Sequence, residues 1–294
     1  MYNKKFLTSF LLILCVGLSS QQCNFNIDQH LREPTPVIID PRINNYIRTS
    51  NTLGNVAMTT NQQIRIACPG TGNFITVRGT GAQERIATCV SGQTFSMDGI
   101  QYNINQFVCS SWPSSQHSTV GTCLGSRSLI NVGFTISTGF IPVLQVCHDT
   151  LVHRTHFTQF TMVRDVATRQ RTTERVAWSQ GPSHLFSGIN ANTQYTRNTQ
   201  RETVSTLLGS SALGNQFIHA TNDFFMSRGH LVAFGDHPFG SQQQATMVFV
   251  NAAPQWQTFN GGNWNSLEIN VRALAGRLNR DLIVYTGTWV IYFL

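Results

Sequence analysis

The chain has 294 residues, and its 20 Lys and Arg against 13 Asp and Glu give a formal net charge of +7. This excess of positive charge is consistent with an acidic polymer as a partner, although basic proteins that never contact nucleic acid also exist. The apolar run at residues 6–18 is shorter than the ~20 residues that a membrane-spanning helix needs, and the sequence has no internal repeat. These features argue against a membrane protein and against a repeat architecture.

Residues 1–19 have the features of a secretory signal peptide. Lys4 and Lys5 precede the apolar run, and the small residues Gly17 and Ser19 stand at positions suited to signal peptidase. Cleavage would remove both lysines, so the mature chain would carry 18 Arg against 13 acidic residues, a net charge of +5. Arg can bind phosphate through two parallel hydrogen bonds, whereas Lys offers a point charge. We therefore predict a secreted, extracellular protein whose fixed cationic side chains are all guanidinium groups.

The cysteines divide the mature chain into two halves. Six remain after Cys15 leaves with the signal peptide, and all lie before residue 148: Cys23, Cys68, Cys89, Cys109, Cys123 and Cys147. An even number of cysteines in a secreted chain favours three disulfides, with the connectivity left open. Each half has the ~100–200 residues typical of a domain. We predict a cysteine-rich β module over residues 20–147 and a second domain over residues 148–294.

The N-terminal half is predicted to contain short strands after an extended lead-in. Residues 24–60 are rich in Pro, Asn and Thr, so little regular structure is expected there. Short β-prone runs separated by turn residues then predict strands at Ile64–Ala67, Phe74–Arg78, Arg85–Val90 and Ile104–Val108. The dipeptide Asp98-Gly99 indicates a hairpin turn. No catalytic set of residues stands out in this half.

Three segments follow that could be mistaken for sites. The spacing of Cys147, His148, His153 and His156 resembles a zinc site, but Cys147 is better used in a disulfide and residues 151–163 read as a strand. Arginines then recur between residues 164 and 175, at Arg164, Arg169, Arg171 and Arg175; such a run is usually a solvated face. Residues 179–216 are rich in Ser, Asn, Gln, Thr and Gly and predict a long surface loop.

The stretch from residue 224 to residue 278 predicts a strand, a second strand and a helix. Leu231–Phe234 and Ala245–Val250 read as two strands of a hairpin, and residues 251–262 as a loop that ends at Asn263, a plausible N-cap. Apolar residues then recur at three- and four-residue steps, at Trp264, Leu267, Val271, Leu274 and Leu278. This spacing predicts a helix whose apolar face closes over the hairpin.

Polar groups collect where these elements converge. Arg228 and His230 lie on one side, and the other side carries Asn251, Gln255, Asn260 and Glu268. An arginine can hold a phosphodiester, a histidine can take a proton from water near neutral pH, and amide or carboxylate oxygens bind a hard cation. Hydrolysis of nucleic acid needs all three functions.

These residues resemble the catalytic core of the DNA/RNA non-specific endonucleases, which are ββα-metal nucleases with a D-R-G-H motif. The likeness is greatest to the secreted double-stranded ribonucleases of arthropods. The resemblance implies that His230 is the general base and that Arg228 beside it contacts phosphate. The first position of the motif is Ser227 here, so any interaction of that carboxylate is replaced or absent.

The resemblance also assigns residues downstream. The N-x-x-P-Q element of the family matches residues 251–255, its metal-binding Asn matches Asn260, and its helical Glu matches Glu268. Asn251 and Glu268 would then orient the water shell of the metal. An Arg followed by an aromatic residue holds the phosphate in the family, and Arg175 with Trp178 is the best match, with Arg171 as the alternative. Arg175, Asn251 and Gln255 are the predicted substrate-binding residues.

We therefore predict an α+β fold, in which a small disulfide-bonded β module precedes a ββα-metal nuclease domain. The implied function is a Mg²⁺-dependent endonuclease, with Mn²⁺ as an alternative metal, that cleaves double-stranded RNA or DNA and leaves 5′ phosphates. The alternative is a secreted nucleic-acid-binding protein without turnover. Members of the family continue beyond the position that corresponds to residue 294, so we expect a domain that is incomplete at its C-terminus, less stable, and weakly active unless it forms a homo-oligomer.

Overall fold

The structure is a computed structural model that describes residues 22–51, 53–79, 81–172 and 174–289. The predicted signal peptide at residues 1–19 lies outside these ranges. The strands are β1 (Gln22–Asn26), β2 (Val37–Asp40), β3 (Asn45–Tyr46), β4 (Asn55–Thr59), β5 (Gln63–Ala67), β6 (Glu84–Ser91), β7 (Thr94–Met97), β8 (Ile100–Asn103), β9 (Gln116–Cys123), β10 (Arg127–Ile136), β11 (Gly139–Asp149), β12 (Arg154–Met162), β13 (Met226–His230), β14 (Ala252–Trp256) and β15 (Leu282–Gly287).

The α-helices are α1 (Ala191–Gln194), α2 (Arg197–Leu208), α3 (Ser211–Phe217), α4 (Gly240–Ala245), α5 (Gln257–Phe259) and α6 (Asn265–Leu278). A π-helical turn at Asn260–Trp264 joins α5 to α6. Strands and helices are mixed along the chain, so the predicted α+β class is confirmed. No helix within the described ranges is long and apolar enough to cross a membrane.

The N-terminal half builds a six-stranded sheet of order β3-β2-β5-β6-β7-β8, beside the pair β1-β4. Strands β1 to β4 fall within residues 24–60 or at their edge, so the prediction of little regular structure there is wrong. The residues of β2 explain the difference, because Val37, Ile38 and Ile39 are fully buried and pair with β5. A short apolar run inside this Pro- and Asn-rich stretch is therefore sufficient to form β2, an inner strand of the sheet.

Two of the four strands predicted in the module are confirmed as β5 and β6. The other two are wrong, because Thr76–Arg78 and Ile104–Gln106 form 3-10 turns. Asn103 caps the second turn by accepting the Asn105 N–H at 3.1 Å. Asp98 and Gly99 join β7 to β8 with φ of 50° and 80°, and a type I′ hairpin turn requires positive φ at both of these positions.

Three disulfides are present, as predicted: Cys23–Cys89, Cys68–Cys109 and Cys123–Cys147. The first two link strands and loops of the N-terminal sheets. The third links β9 to β11 across β10. Cys147 is therefore used in a disulfide, and the strand predicted over residues 151–163 is β12.

A five-stranded sheet of order β15-β12-β11-β10-β9 supports the C-terminal half. The domain boundary predicted between residues 147 and 148 falls inside β11, which ends at Asp149. His148 is buried in this sheet, where its Nδ1 lies 3.1 Å from Thr155 Oγ1 and its Nε2 lies 2.9 Å from the Leu185 carbonyl oxygen. Both ring nitrogens are thus engaged within the fold.

The polar stretch at residues 179–216 contains α1, α2 and the beginning of α3, so the prediction of a long surface loop is wrong. Some of the residues that suggested a loop are helix caps. The side chain of Thr196 accepts the Thr199 N–H at the start of α2, and Gly209 ends that helix with φ of 64°. Ser210 then caps α3 through the Leu213 N–H.

The order strand, strand, helix is correct, but the strands are not where they were predicted. The antiparallel pair consists of β13 and β14, and Leu231–Phe234 and Ala245–Val250 lie mostly in the buried connection between them. Apolar residues of this connection, such as Val232 and Val250, are fully buried. A short apolar run does not distinguish a strand from buried irregular chain.

Helix α6 is rotated from the predicted orientation, so only part of its apolar stripe faces the protein. Val271 packs against the core, whereas Leu267, Leu274 and Leu278 are exposed, Leu267 to 49%. Arg272 is 8% exposed because its Nη1 lies 2.7 Å from Oδ1 of the buried Asp236. The predicted packing of the stripe is therefore wrong for the three leucines.

Candidate active site

A cavity of about 420 Å³ lies between residues 169–175, the end of β13 and the start of the C-terminal helical segment. Four predicted site residues line it: Arg175, His230, Asn260 and Glu268. Arg171, the alternative to Arg175, lines it as well. Arg228, Asn251 and Gln255 do not.

His230 is the last residue of β13 and stands at the wall of this cavity. The ring of Trp178 lies 4.6 Å from its ring, and Trp264 Nε1 donates to its carbonyl oxygen at 3.2 Å. Its Nε2 atom is buried and has no hydrogen-bond partner among the described residues. Burial, with the positive charge of Arg175, lowers the pKa of His230 to about 3. The imidazole is therefore neutral at pH 7, which is the form that a general base requires.

The glycine of the tripeptide Arg228-Gly229-His230 is needed for a steric reason. A Cβ on Gly229 would overlap the side chain of Gln255 on the neighbouring strand β14. Gln255 therefore lies on the opposite face of the ribbon from His230, and its Oε1 is buried without a partner among the described residues. Ser227, at the motif position of the family's Asp, donates its hydroxyl to the Gln255 carbonyl oxygen at 3.0 Å and so ties the two strands together.

Arg228 lies beside the cavity on an aromatic cluster. Its guanidinium is 5.3 Å from the ring of Tyr195 and 5.7 Å from the ring of Phe249, and its Nη2 donates to Asn192 Oδ1 at 2.6 Å. Phe249 in turn lies 5.5 Å from Trp178, the residue that packs on His230. The arginine is thus connected to the cavity through aromatic rings and is not part of its lining.

Asn251 is fully buried and holds the connection between β13 and β14. Its Oδ1 accepts the Val232 N–H at 2.8 Å, and its Nδ2 donates to the carbonyl oxygens of Val232 and Thr246 at 3.0 and 2.9 Å. Both amide hydrogens are used within the chain. This placement favours a positioning role for Asn251 over the predicted contact with substrate or with water on a metal.

Glu268 faces the cavity from the first turn of α6, next to a buried charge network. Arg272 lies 4.0 Å from Glu268 and 2.7 Å from Asp236, whose other oxygen accepts the Ala233 N–H at 3.2 Å. Burial and the negative charge of Asp236 raise the pKa of Glu268 to about 7. Burial also raises the pKa of Asp236. The site therefore holds a carboxyl group that titrates near neutral pH.

Arginines form the opposite wall. The guanidinium of Arg175 lies 4.4 Å above the ring of Phe234, which holds it at the cavity. Arg171 is largely exposed, and its Nε lies 3.8 Å from Asp28. Arg169 is more buried, and burial lowers its pKa. A phosphate in the cavity would meet more than one cation.

The family model described as DNA/RNA non-specific endonuclease matches residues 125–291. The chain belongs to this family. The match begins in the turn before β10, so it includes strands on both sides of the predicted boundary at residues 147 and 148.

The chain is also similar to two salivary endonucleases. Over 279 residues the chain is 26% identical to a salivary endonuclease of Lutzomyia longipalpis, an alignment that covers 92% of this chain and 61% of that protein. Over 208 residues it is 27% identical to a salivary endonuclease of Culex quinquefasciatus, covering 66% of this chain and 50% of that protein. The chain thus spans between half and two thirds of the lengths of these endonucleases.

The endonuclease family implies a divalent cation, and the donor atoms at the cavity fit one. Asn260 offers an amide oxygen from the π-helical turn, and Glu268 offers a carboxylate on the same wall. Mg²⁺ prefers oxygen ligands and commonly keeps several waters. The described residues contain no group of three or more His, Cys, Asp or Glu that could hold a metal. A cation here would be held by few protein ligands.

Several residues that line the cavity were not predicted as site residues from the sequence, and Arg169, Gln243 and Arg272 are among them. Arg169 belongs to the arginine run but was not distinguished from its neighbours. Arg272 stands four residues after Glu268 on the helix, a spacing that places two side chains next to each other. That spacing was the available signal for Arg272, whereas Gln243 lies in a Gln-rich stretch with no local signal of its role.

Proposed function

We propose that the chain is a metal-dependent endonuclease that hydrolyses phosphodiester bonds of nucleic acid. The observation that carries the proposal is a neutral histidine, His230, whose unpaired Nε2 lies at a cavity lined by arginines. Double-stranded RNA is the expected substrate, with DNA as a second one, and the products are expected to carry 5′ phosphates. Membership of the endonuclease family supports the reaction class.

In the proposed reaction, His230 takes a proton from a water molecule, and the water oxygen attacks phosphorus as the 3′ oxygen leaves. A general base of this kind contributes typically ~10²- to 10⁴-fold in rate. Trp178 on its ring and Trp264 on its carbonyl oxygen fix the imidazole. The base would thus be held in place before substrate binds.

Asn260 and Glu268 would hold the cation, which is Mg²⁺ in the proposal, with Mn²⁺ as an alternative. When bound, the cation would neutralise negative charge on the phosphate and on the leaving oxygen. Glu268 must be ionised for this role. Since its pKa is about 7, the proposed site gains an anionic donor beside the neutral amide of Asn260 as the pH rises through neutrality.

The arginines are assigned by their positions. Arg175 faces the cavity and would hold the scissile phosphate, with Arg171 nearby as the alternative. Arg228 lies outside the cavity on Tyr195 and Phe249, so we assign it to a phosphate further along the polymer. Guanidinium groups suit both positions because they bind phosphate in a bidentate manner.

Asn251 and Gln255 receive positioning roles in place of substrate contacts. Asn251 fixes the connection that leads from β13 through the wall of the cavity. Gln255 packs across Gly229 and so fixes the relation of β13 to β14. Both would act through the placement of His230.

Secretion is part of the proposal. Three disulfides form and persist in oxidising compartments, and the two named relatives are salivary proteins. Homo-oligomerisation stays a prediction, to be checked by size-exclusion chromatography. The exposed leucines of α6 give it a physical basis.

A nucleic-acid-binding protein without turnover is the second candidate. Two observations favour it: Arg228 lies outside the cavity, and Ser227 stands where the family has Asp. The test is cleavage of end-labelled double-stranded RNA and DNA by the purified chain, with Mg²⁺ or with a chelator. Mg²⁺-dependent cleavage with 5′-phosphate ends supports the enzyme. Retardation of both polymers on a gel, with no cleavage in either condition, supports the binding protein.

A further inference from the structure

Three close polar contacts in a row link β11, β12 and the connection between β13 and β14. His148 on β11 and Thr155 on β12 are partners across the sheet. Nε2 of His148 lies 2.9 Å from the carbonyl oxygen of Leu185, and its Nδ1 lies 3.1 Å from Thr155 Oγ1. Thr155 Oγ1 in turn lies 2.7 Å from the carbonyl oxygen of Val250. We call these four residues the histidine bridge.

The histidine bridge is shielded from solvent. His148 is 1% exposed, Leu185 is 1% exposed, Thr155 is 5% exposed and Val250 is fully buried. Within the described residues, the hydrogen bonds to the two carbonyl oxygens come from the bridge itself. A buried carbonyl oxygen without a donor costs free energy, so the position of each hydrogen in the bridge affects stability.

The number of hydrogens in the bridge depends on the charge of His148. A carbonyl oxygen only accepts, so the three contacts need three hydrogens. The Thr155 hydroxyl supplies one, and a neutral imidazole supplies one more from either nitrogen. One contact is then left without a hydrogen in both tautomers. An imidazolium donates from both nitrogens, so the Thr155 hydroxyl can donate to Val250 and all three contacts become hydrogen bonds.

Charged and titratable side chains lie on the elements around His148. They are His117 of β9, Arg127 of β10, Asp149 of β11, His153, Arg154 and His156 at the start of β12, and His184 of the 3-10 turn Ser183–Phe186 that carries Leu185. Burial lowers the pKa of His148, and His153 and His156 lower it further, whereas the Leu185 carbonyl oxygen and Asp149 raise it. The ring is therefore neutral near pH 7 and takes up its proton in acid.

Val250 belongs to the segment that supports the candidate base. It precedes Asn251, whose buried side chain fixes the connection between β13 and β14. The Asn251 carbonyl oxygen accepts the N–H of Leu231, the residue after His230, at 2.9 Å. A bond that ties the Val250 carbonyl group to the sheet therefore also steadies the backbone next to His230.

We propose that the histidine bridge is a latch that closes when His148 takes a proton from solvent. The Nδ1–H then donates to Thr155 Oγ1, the Thr155 hydroxyl donates to Val250, and the connection before β14 is tied to β12. When the proton leaves, the one hydroxyl hydrogen is divided between Nδ1 and the Val250 oxygen, and one contact of the bridge opens. Acid should thus tighten the segment behind His230. The proposal rests on the fold and not on nuclease activity.

The test compares Thr155→Val, which replaces the hydroxyl by a methyl group, with Thr155→Ser, which keeps the hydroxyl. Urea unfolding of the full chain is measured between about pH 7.5 and pH 4.5. Thr155→Val should raise the unfolding equilibrium constant over that of the parent by about 5-fold at the upper pH. The ratio should grow by at least about another 10-fold as His148 is protonated, because hydrogen bonds to charged groups are stronger. The ratio for Thr155→Ser should not change with pH.

The expected sign follows from proton linkage. His148 binds its proton less readily in the fold than in the unfolded chain, so stability is full above its ordinary pKa of ~6.5 and declines in acid. Thr155→Val removes the acceptor for the Nδ1 proton, so it lowers the pKa of His148 further and makes the decline steeper. With His148→Gln added, the effect of Thr155→Val should lose its pH dependence. A ratio for Thr155→Val that is constant with pH, or a dependence that persists with His148→Gln, overturns the proposal.

A second measurement needs no variant. Nuclear magnetic resonance of the parent follows the protonation of His148 through its ring nitrogens and hydrogen exchange at the amides of Leu231 and Asn251, corrected for the intrinsic effect of pH. As His148 takes its proton, both amides should gain protection by at least about threefold relative to the amides of β5. Protection that does not rise, or that rises equally in β5, overturns the latch.

Discussion

Replacing Arg272 by Met should destabilise the protein far more than the same replacement of an exposed arginine on a helix. Arg272 is 8% exposed and makes a 2.7 Å ion pair with Asp236, which is itself buried. Methionine fills similar space but leaves the carboxylate uncompensated. Removing one partner of a buried pair costs about 3–5 kcal/mol in the free energy of unfolding. For a chain of this size the melting temperature should fall by on the order of 10 °C.

The loss should also depend on pH with a definite sign. Arg272 opposes the rise in pKa that burial causes in Asp236 and Glu268, so its removal raises both further. A carboxyl whose pKa is raised by folding destabilises the fold above its ordinary pKa, and this cost vanishes in acid, where both states are protonated. Arg272→Met should therefore be more damaging at pH 8 than at pH 4.5.

The assay is urea unfolding of the parent, of Arg272→Met and of Arg277→Met, with disulfides intact. Arg277 is exposed on the same helix, so the same substitution there should change the free energy of unfolding by less than about 0.5 kcal/mol. Asp236→Asn added to Arg272→Met should recover part of the loss. Equal effects of the two single Met variants, or a loss independent of pH, would refute the reasoning.

Three further predictions concern the strand pair, the buried histidines and the arginines. Gly229→Ala should cost about 1–3 kcal/mol in unfolding free energy, and Gln255→Ala added to it should restore most of that by removing the overlap. The pKa of His237 falls from 6.5 to about 3 on folding, so stability should be full above pH 6.5 and decline as the pH drops towards 3; His237→Gln should flatten that decline in unfolding titrations. Arg175→Ala should reduce the slope of log affinity for double-stranded DNA against log salt by about 0.9, one phosphate contact, while Arg277→Ala leaves the slope unchanged. An unchanged slope for Arg175→Ala would shift the phosphate role to another arginine.

The sequence predicted the residues of the candidate site more accurately than the secondary structure around them. His230, Asn260 and Glu268 were predicted from a motif, and the structure brings all three to one cavity. The spacing of a family motif reflects the residues that the reaction needs, so it can be recognised even where the secondary structure around it is predicted wrongly. The number of disulfides and the Asp98-Gly99 turn were also predictable, since each depends on local covalent or backbone preference.

The errors arose where tertiary contacts overrode local pattern. The apolar residues after His230 looked like a strand, yet the amide of Asn251 satisfies the backbone of Val232 and Thr246 and allows an irregular buried connection. The hydrophobic periodicity of the sequence gives no information about hydrogen bonds of this kind. Likewise, three leucines of α6 face outward because Arg272 pairs with Asp236, a residue 36 positions away in the chain.

Cleavage and binding of double-stranded RNA, measured together, show whether His230 is the base of a nuclease site. The variant is His230→Ala, and the control is His184→Ala, which removes an exposed histidine. We expect His230→Ala to cleave ~10²- to 10⁴-fold more slowly with Mg²⁺ while its Kd for the RNA stays within about threefold of the parent, since a general base is not needed for phosphate affinity. The control should match the parent in both measurements. Cleavage by His230→Ala at the parent rate would show that His230 is not the general base.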